Sequence, residues 1–269
     1  MSNREPNPLH AALGLFTTIP VPPIAEVTPR TARRAMTAFP VVGLLLGLPA
    51  AAVLALADWL GLPWLGAVLA IAVLAWFTGG LHLDGVADTA DGLASRRDAE
   101  AALAIMKRSD IGPMGVITLL LVLLGDIAAL VGLAGLSSSV LLAPAALVVA
   151  ATTGRVGVVW GATTGGPTAR PGGFGALFAD AGSVPTALAH SVALTLLAAA
   201  LGWLTGGLSA ALVLPAAVIA AHVVAHFWQR HLMARLGGHT GDTFGSLVEL
   251  TQVAVLVTAA LGLGLATRL

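Results

Sequence analysis

The densest run of side chains able to do chemistry is His82-Leu83-Asp84-Gly85-Val86-Ala87-Asp88-Thr89-Ala90-Asp91-Gly92-Leu93-Ala94-Ser95-Arg96. If this run is helical, Asp84, Asp88 and Asp91 stand at i, i+4 and i+7. At roughly 100° per residue that places them within about 60° of one another on one face. Neighbouring carboxylates repel, and without a cation some of them take up protons. A divalent ion removes the conflict. Mg²⁺ held by a few carboxylates together with substrate phosphates is the usual arrangement for chemistry at a diphosphate. Asp84, Asp88 and Asp91 are therefore the candidate Mg²⁺ ligands. The rival reading, acids that only solvate a loop, fits poorly with a shared face beside glycine turns and a following group of cations.

Those cations are Arg96, Arg97, Lys107 and Arg108. Any one of them could serve topology alone, but Lys107-Arg108-Ser109-Asp110-Ile111-Gly112 gathers charge, hydroxyl and turn at the start of an apolar run. Backbone N–H groups there could receive phosphate oxygens. Arg155 lies within an apolar span, where an ionisable residue is a functional candidate by default. Arg96, Lys107, Arg108 and Arg155 are thus the candidate phosphate contacts. A second polar knot, Gly237-Gly238-His239-Thr240-Gly241-Asp242-Thr243-Phe244-Gly245, is followed by Glu249, which shares a helical face with Asp242. His239 reads equally as a base or a loop cap, and His222 with His226 as pocket lining rather than a metal pair. Asp126 has no visible partner.

The elements that must position these groups are membrane helices. Of 269 residues, 57% are apolar and 10% charged, with a mean hydropathy of +0.94. Soluble domains carry about a quarter charged residues, so the chain lacks the polar surface of a water-exposed globule. Zero net charge gives no pull toward nucleic acid. The absence of cysteine excludes disulfides, thiolate metal sites and a cysteine nucleophile. Stretches of about 20 apolar residues are long enough to cross a bilayer. Seven are expected, at roughly 40–57, 62–80, 113–134, 139–159, 184–204, 208–228 and 245–267. With residues 1–39 as a cytoplasmic or interfacial segment, every Lys and Arg but Arg268 falls at the inner face, as the positive-inside rule requires. The first 34 residues hold no long apolar run, so no cleaved secretory leader is expected. Most acids and histidines lie on the inner side too, with only Asp126 deep. The expected fold is all-α: one polytopic bundle over 1–269, its active site at the cytoplasmic face of a bacterial membrane. A homo-oligomer is compatible with this composition.

At these residues the chain resembles the cobalamin synthase, or adenosylcobinamide-GDP ribazoletransferase, family. The likeness runs from Phe16-Thr17-Thr18-Ile19-Pro20-Val21-Pro22 and Phe39-Pro40-Val41-Val42-Gly43 through the long Gly80–Gly92 acidic motif. It continues in Met106-Lys107 with Ile111-Gly112-Pro113-Met114-Gly115, Thr153-Gly154-Arg155 and Thr240-Gly241-Asp242. One departure is the order Lys107-Arg108-Ser109-Asp110, where the family has Lys-Asp-Ser-Arg. Asp88, Asp91, Gly92 and Arg96 also resemble part of the CDP-alcohol phosphotransferase signature, whose fourth acid has no counterpart here.

The resemblance implies transfer of adenosylcobinamide phosphate from adenosylcobinamide-GDP to α-ribazole or its 5′-phosphate, with release of GMP. Mg²⁺ is then the only cofactor, and Asp242 or His239 receives the proton of the attacking hydroxyl. Phospholipid synthesis from a CDP-alcohol is the nearer alternative. An ion-coupled transporter, with the acids as its coupling site, is the alternative from another class.

Overall fold

Proline and glycine set most of the helix boundaries. The computed structural model describes residues 6–137, 139–163, 168–170 and 172–268, and among them no β-strand forms. Helix α1 (Pro8–Phe16), α2 (Pro29–Trp59) and α3 (Pro63–Thr78) each begin with proline in the first turn. A missing N–H costs nothing there, because that group has no intrahelical acceptor. After α3 come α4 (Leu81–Ala94), the short α5 (Ala99–Ile105) and α6 (Pro113–Gly135). The chain continues through α7 (Leu142–Gly161), the single-turn α8 (Phe174–Phe178), α9 (Val184–Leu236) and α10 (Gly241–Ala266).

Five of these helices, α2, α6, α7, α9 and α10, are long and apolar enough to cross a membrane, and α3 with α4 makes a sixth candidate bent by 91°. Apolar side chains cover the outside, among them Leu48, Trp59, Trp76, Leu121, Leu204 and Phe227. A soluble monomer rarely shows so much contiguous apolar surface. Helix α7 is apolar apart from Thr152, Thr153 and Arg155 and lies buried at the centre, with α2, α9 and α10 packed around it.

Two boundaries differ from the sequence reading. Thr28 accepts a hydrogen bond from the Thr31 N–H and starts α2 at Pro29, so residues 29–39 belong to the crossing helix. Ala32, Ala35, Met36 and Phe39 are buried in consequence. The segments expected at 184–204 and 208–228 form the single 53-residue helix α9, interrupted at Gly207, where φ is 68° and ψ −154°. A straight helix of that length would run about 80 Å, far beyond a bilayer. Instead a Cβ on Gly202 would run into the Ala210 carbonyl oxygen, so the two arms fold back on each other. Only glycine tolerates the backbone of that reversal.

The start of α2, the ends of α3, α7 and α9 and the starts of α6 and α10 meet at one end of the bundle. Their connections are tied together there: Thr18 N–H donates to Phe77 O at 2.8 Å, Gly182 N–H to Ala162 O at 3.2 Å and Ala169 N–H to His239 O at 3.1 Å.

Candidate functional site

Helix α4 brings the acids to this end. Gly79 and Gly80 both adopt left-handed backbone, with φ of 61° and 73°. They turn the chain through 91° between α3 and α4. Helix α4 therefore leaves the crossing direction and lies along the end of the bundle. It presses its backbone onto α10: a Cβ on Gly85 would stand 2.6 Å from Asp242 O, so a side chain at this position would part the helices. This close approach carries Asp84 and Asp88 up to Asp242 in the first turn of α10. That turn is fixed by a capping box in which Thr240 and Thr243 each accept from the other's backbone N–H.

The carboxylates sense one another. Asp88 is raised from 3.8 to about 6, first by partial burial and then by the charges of Asp84, Asp242 and Asp91, with Arg170 acting in the opposite sense. Arg170 Nη1 lies 3.9 Å from Asp242 Oδ2, and its Nη2 donates to the Leu103 carbonyl. The 168–170 strip reaches this position by lying beside His239, with a bridge between Thr168 and His239. Arg170 is a site residue that spacing did not indicate, because it sits alone in a glycine-rich connection.

The other residues picked out from sequence separate into distinct places. Asp91 is on α4 as expected, but its two oxygens accept from Gly112 N–H at 2.6 Å and Gly115 N–H at 2.8 Å. It thus caps α6, and the helix start expected to receive phosphate is already filled by a carboxylate from within the chain. Lys107, Arg96 and Arg108 are exposed at the same end. Arg108 makes a two-bond pair with Asp110 at 3.0 and 2.8 Å, and that pairing holds the Asp110 carboxyl below its ordinary value. Among the described residues, no group of three or more His, Asp or Glu side chains stands ready-made around one metal position. His239 is 2% exposed and stacks on Phe244 with centroids 4.7 Å apart. Burial pushes its imidazole down to about 4, so it is neutral at physiological pH.

Arg155 lies elsewhere, within the bundle, and is 1% exposed. Its Nη1 donates to Ala151 O at 3.0 Å and its Nη2 lies 3.4 Å from His82 Nδ1, which is in turn 3.8 Å from Glu249 Oε1. Gln252 Nε2 reaches Glu249 Oε2 at 3.5 Å and Asp126 Oδ2 at 3.0 Å. A buried polar string thus links α7, α4, α10 and α6. It supplies the partner that Asp126 lacked in sequence, and it corrects the expectation that Asp126 alone lies deep. The reason is geometric, since side chains far apart in the chain satisfy one another only once the helices pack.

Three adjoining cavities open at this end of the bundle, two of them lined by Asp242. One of about 140 Å³ is lined by Arg170, His239, Thr240 and Asp242. A second, of about 270 Å³, shares Phe174, Gly241 and Asp242 with it and is otherwise mainly apolar. The third, of about 580 Å³, meets the second at Leu15, Phe16 and Leu81 and contains Thr17, Thr18, Gly79, Gly80 and Asp84. His222 and His226 line a separate side cavity with Trp160 and Ser191.

The model of the cobalamin-5-phosphate synthase family matches residues 8–260, and the chain belongs to that family. A Pseudomonas putida protein named adenosylcobinamide-GDP ribazoletransferase is 40% identical, covering 95% of this chain and 99% of its own. Proteins of the same name from Frankia casuarinae and Thiobacillus denitrificans are 37% and 36% identical, covering 93% and 95% of both chains respectively. No solved structure matches the chain.

Proposed function

We propose that this site completes the nucleotide loop of cobalamin. Adenosylcobinamide phosphate passes from adenosylcobinamide-GDP to α-ribazole or its 5′-phosphate, and GMP is released. The observation that carries this reading is the convergence of Asp84, Asp88, Asp242 and Arg170 at one end of a membrane bundle, in a chain of this family. The ribazole 3′-hydroxyl oxygen forms the new bond to the cobinamide-side phosphorus. The bond from that phosphorus to the GMP oxygen breaks, and GMP leaves with the electron pair. The hydroxyl proton goes to the Asp242 carboxylate, which the capped first turn of α10 holds in place. Buried neutral His239 stacks behind that turn and positions it. Arg170 meets the phosphoryl oxygens, and exposed Lys107 and Arg96 remain within the same surface for the nucleotide.

The donor set suits a hard divalent cation, being all carboxylate oxygen with charges in mutual conflict. Asp84 and Asp88 would hold Mg²⁺, since both Asp91 oxygens are engaged by α6. Bound there, the ion neutralises the diphosphate charge. Aligning the two substrates and compensating that charge is most of what a phosphoryl transfer needs from protein.

The test is GMP release by the detergent-solubilised full chain. GDP-cobinamide with α-ribazole should yield GMP only when a divalent cation is present. Use of CDP-diacylglycerol instead would transfer the site to phospholipid synthesis, and ion-coupled transport by sealed vesicles without GMP release would favour a transporter. The arginine-rich end, the N-terminus and the site then face the cytoplasm, as the charge pattern supports. A reporter fused at Gly61 should read as external, as should one at Ser138, a position outside the described residues; internal readings at both would reverse the orientation.

A further inference from the structure

The 270 Å³ cavity beside Asp242 differs from the rest of the site in being a box of rings. Phe16 and Phe39 have centroids 4.3 Å apart, Phe16 and Phe178 5.3 Å, Phe174 and Phe178 4.7 Å, and Phe16 and Phe174 6.2 Å near perpendicular. Phe244 completes the lining from α10, and among the described residues the polar side chains on the wall are His82 and Asp242 alone. The chain contains seven phenylalanines, and five of them line this one space. Four of the five are buried; Phe174, at 44% exposure, stands at the mouth shared with the Arg170 cavity. Four separate stretches of chain, α1, α2, α8 and α10, are needed to assemble it. Phe16 is held there because Thr18, two residues on, bonds through its N–H and hydroxyl to the Phe77 carbonyl at the end of α3.

We infer that this aromatic box is the binding site for the flat bicyclic base of the nucleoside nucleophile, the benzimidazole ring of α-ribazole. This rests on the reaction proposed above and assigns one half of its substrate pair. Size and polarity decide between the two halves. Ligand pockets for whole drug-sized molecules run from roughly 300 to 1,000 Å³. A space of about 270 Å³ walled by rings therefore fits a fused two-ring base and is too small by itself for a corrin macrocycle. A diphosphate or guanosine monophosphate would leave charges unpaired against five phenyl rings, which is costly. A planar base instead gains edge and face contacts with rings at these spacings. Its sugar then lies toward the mouth where Asp242 lines both the aromatic box and the Arg170 cavity. The hydroxyl is thereby delivered to the carboxylate that takes its proton.

Steady-state GMP release by the full chain in detergent tests this, with α-ribazole and GDP-cobinamide varied in turn and free benzimidazole as the competitor. Benzimidazole should compete with α-ribazole and not with GDP-cobinamide. Phe174→Ala, which changes the most exposed ring of the box, should raise KM for α-ribazole about tenfold, several times more than any change in KM for GDP-cobinamide. The competition arm needs no variant and so stands whether or not Phe174→Ala folds. GMP release that benzimidazole leaves untouched, or benzimidazole competition against GDP-cobinamide, overturns the assignment while the reaction stands. Inhibition that follows detergent chain length instead would mean that an acyl chain fills the box, and would overturn it too. Failure of the wild-type chain to release GMP from these substrates would remove the reaction and this assignment together.

Discussion

Replacing Asp88 with Asn should make the metal-free protein more stable at neutral pH while removing its turnover. In the folded chain the Asp88 carboxyl titrates at about 6, against 3.8 for an unperturbed group. Between those values the folded chain holds a proton that the unfolded chain has released. Stability therefore falls as pH rises from roughly 4 to 6, and above that the whole cost of carrying the charge is present. At ~1.4 kcal/mol for each tenfold change in proton affinity, the move from 3.8 to about 6 corresponds to roughly 3 kcal/mol. Asp88 is only partly buried, and solvent screens its neighbours, so the expected net is about 1 kcal/mol. In a chain of this size that is roughly 2–4 °C of melting temperature. The assay is thermal unfolding in detergent with EDTA. D88N should melt higher than wild type at pH 7.5, with the gap nearly closed by pH 4. Adding Mg²⁺ should raise the wild type more than the variant, because the ion relieves the same repulsion. A lower melting point for D88N at pH 7.5 in EDTA would refute the reasoning, since Asp88 would then be making a favourable contact rather than crowding other acids.

Asp91→Ala should act differently from its neighbours on α4. It strips the acceptor from the Gly112 and Gly115 amides, so a loss of about 1–3 kcal/mol in thermal stability is expected, while the protein that remains folded keeps divalent-dependent GMP release. Gly85→Val would place side-chain atoms where Asp242 O already stands 2.6 Å from the Cβ position. Helical content by circular dichroism should survive while turnover falls by about a hundredfold or more, as the two acid-bearing helices separate. Gln252→Leu removes the donor to buried Asp126 and should lower stability by about 2–3 kcal/mol, whereas Asp126→Asn keeps an acceptor for Gln252 and should cost much less. Equal melting points for those two variants would mean that the buried string does not stabilise the bundle.

The sequence made the acidic helix legible because its chemistry is local. Asp84, Asp88 and Asp91 share one short helix, and the period of that helix predicts their common face. The crossing segments were legible for a similar reason, since charge leaves gaps of the right length between them. What spacing along a chain cannot report is which donors each acid meets after packing. Asp91 looks like its two neighbours in sequence and becomes a helix cap because α6 starts beside it. Arg155 carries the same charge as Arg170, yet one sits inside the bundle against His82 and the other beside Asp242. The phenylalanines were the least legible, being scattered over α1, α2, α8 and α10 at no common spacing.

The two sets of ionisable groups answer opposite demands of one membrane protein. Inside the bundle, Arg155, His82, Glu249, Gln252 and Asp126 approach one another in series across four helices, so these polar groups face each other rather than lipid. Two of those helices, α4 and α10, are also the ones that carry Asp84, Asp88 and Asp242 to the end of the bundle. There, carboxylates are held close together with little to neutralise them. A mutual arrangement of that kind is unfavourable on its own and needs a rigid support to persist. The buried string is well placed to give it, because His82 lies on the turn of α4 just before Asp84, and Glu249 lies two turns beyond Asp242 on α10. Interior pairing thus fixes the spacing of the acids, and the unrelieved charge at the end is what a cation and a diphosphate together would satisfy.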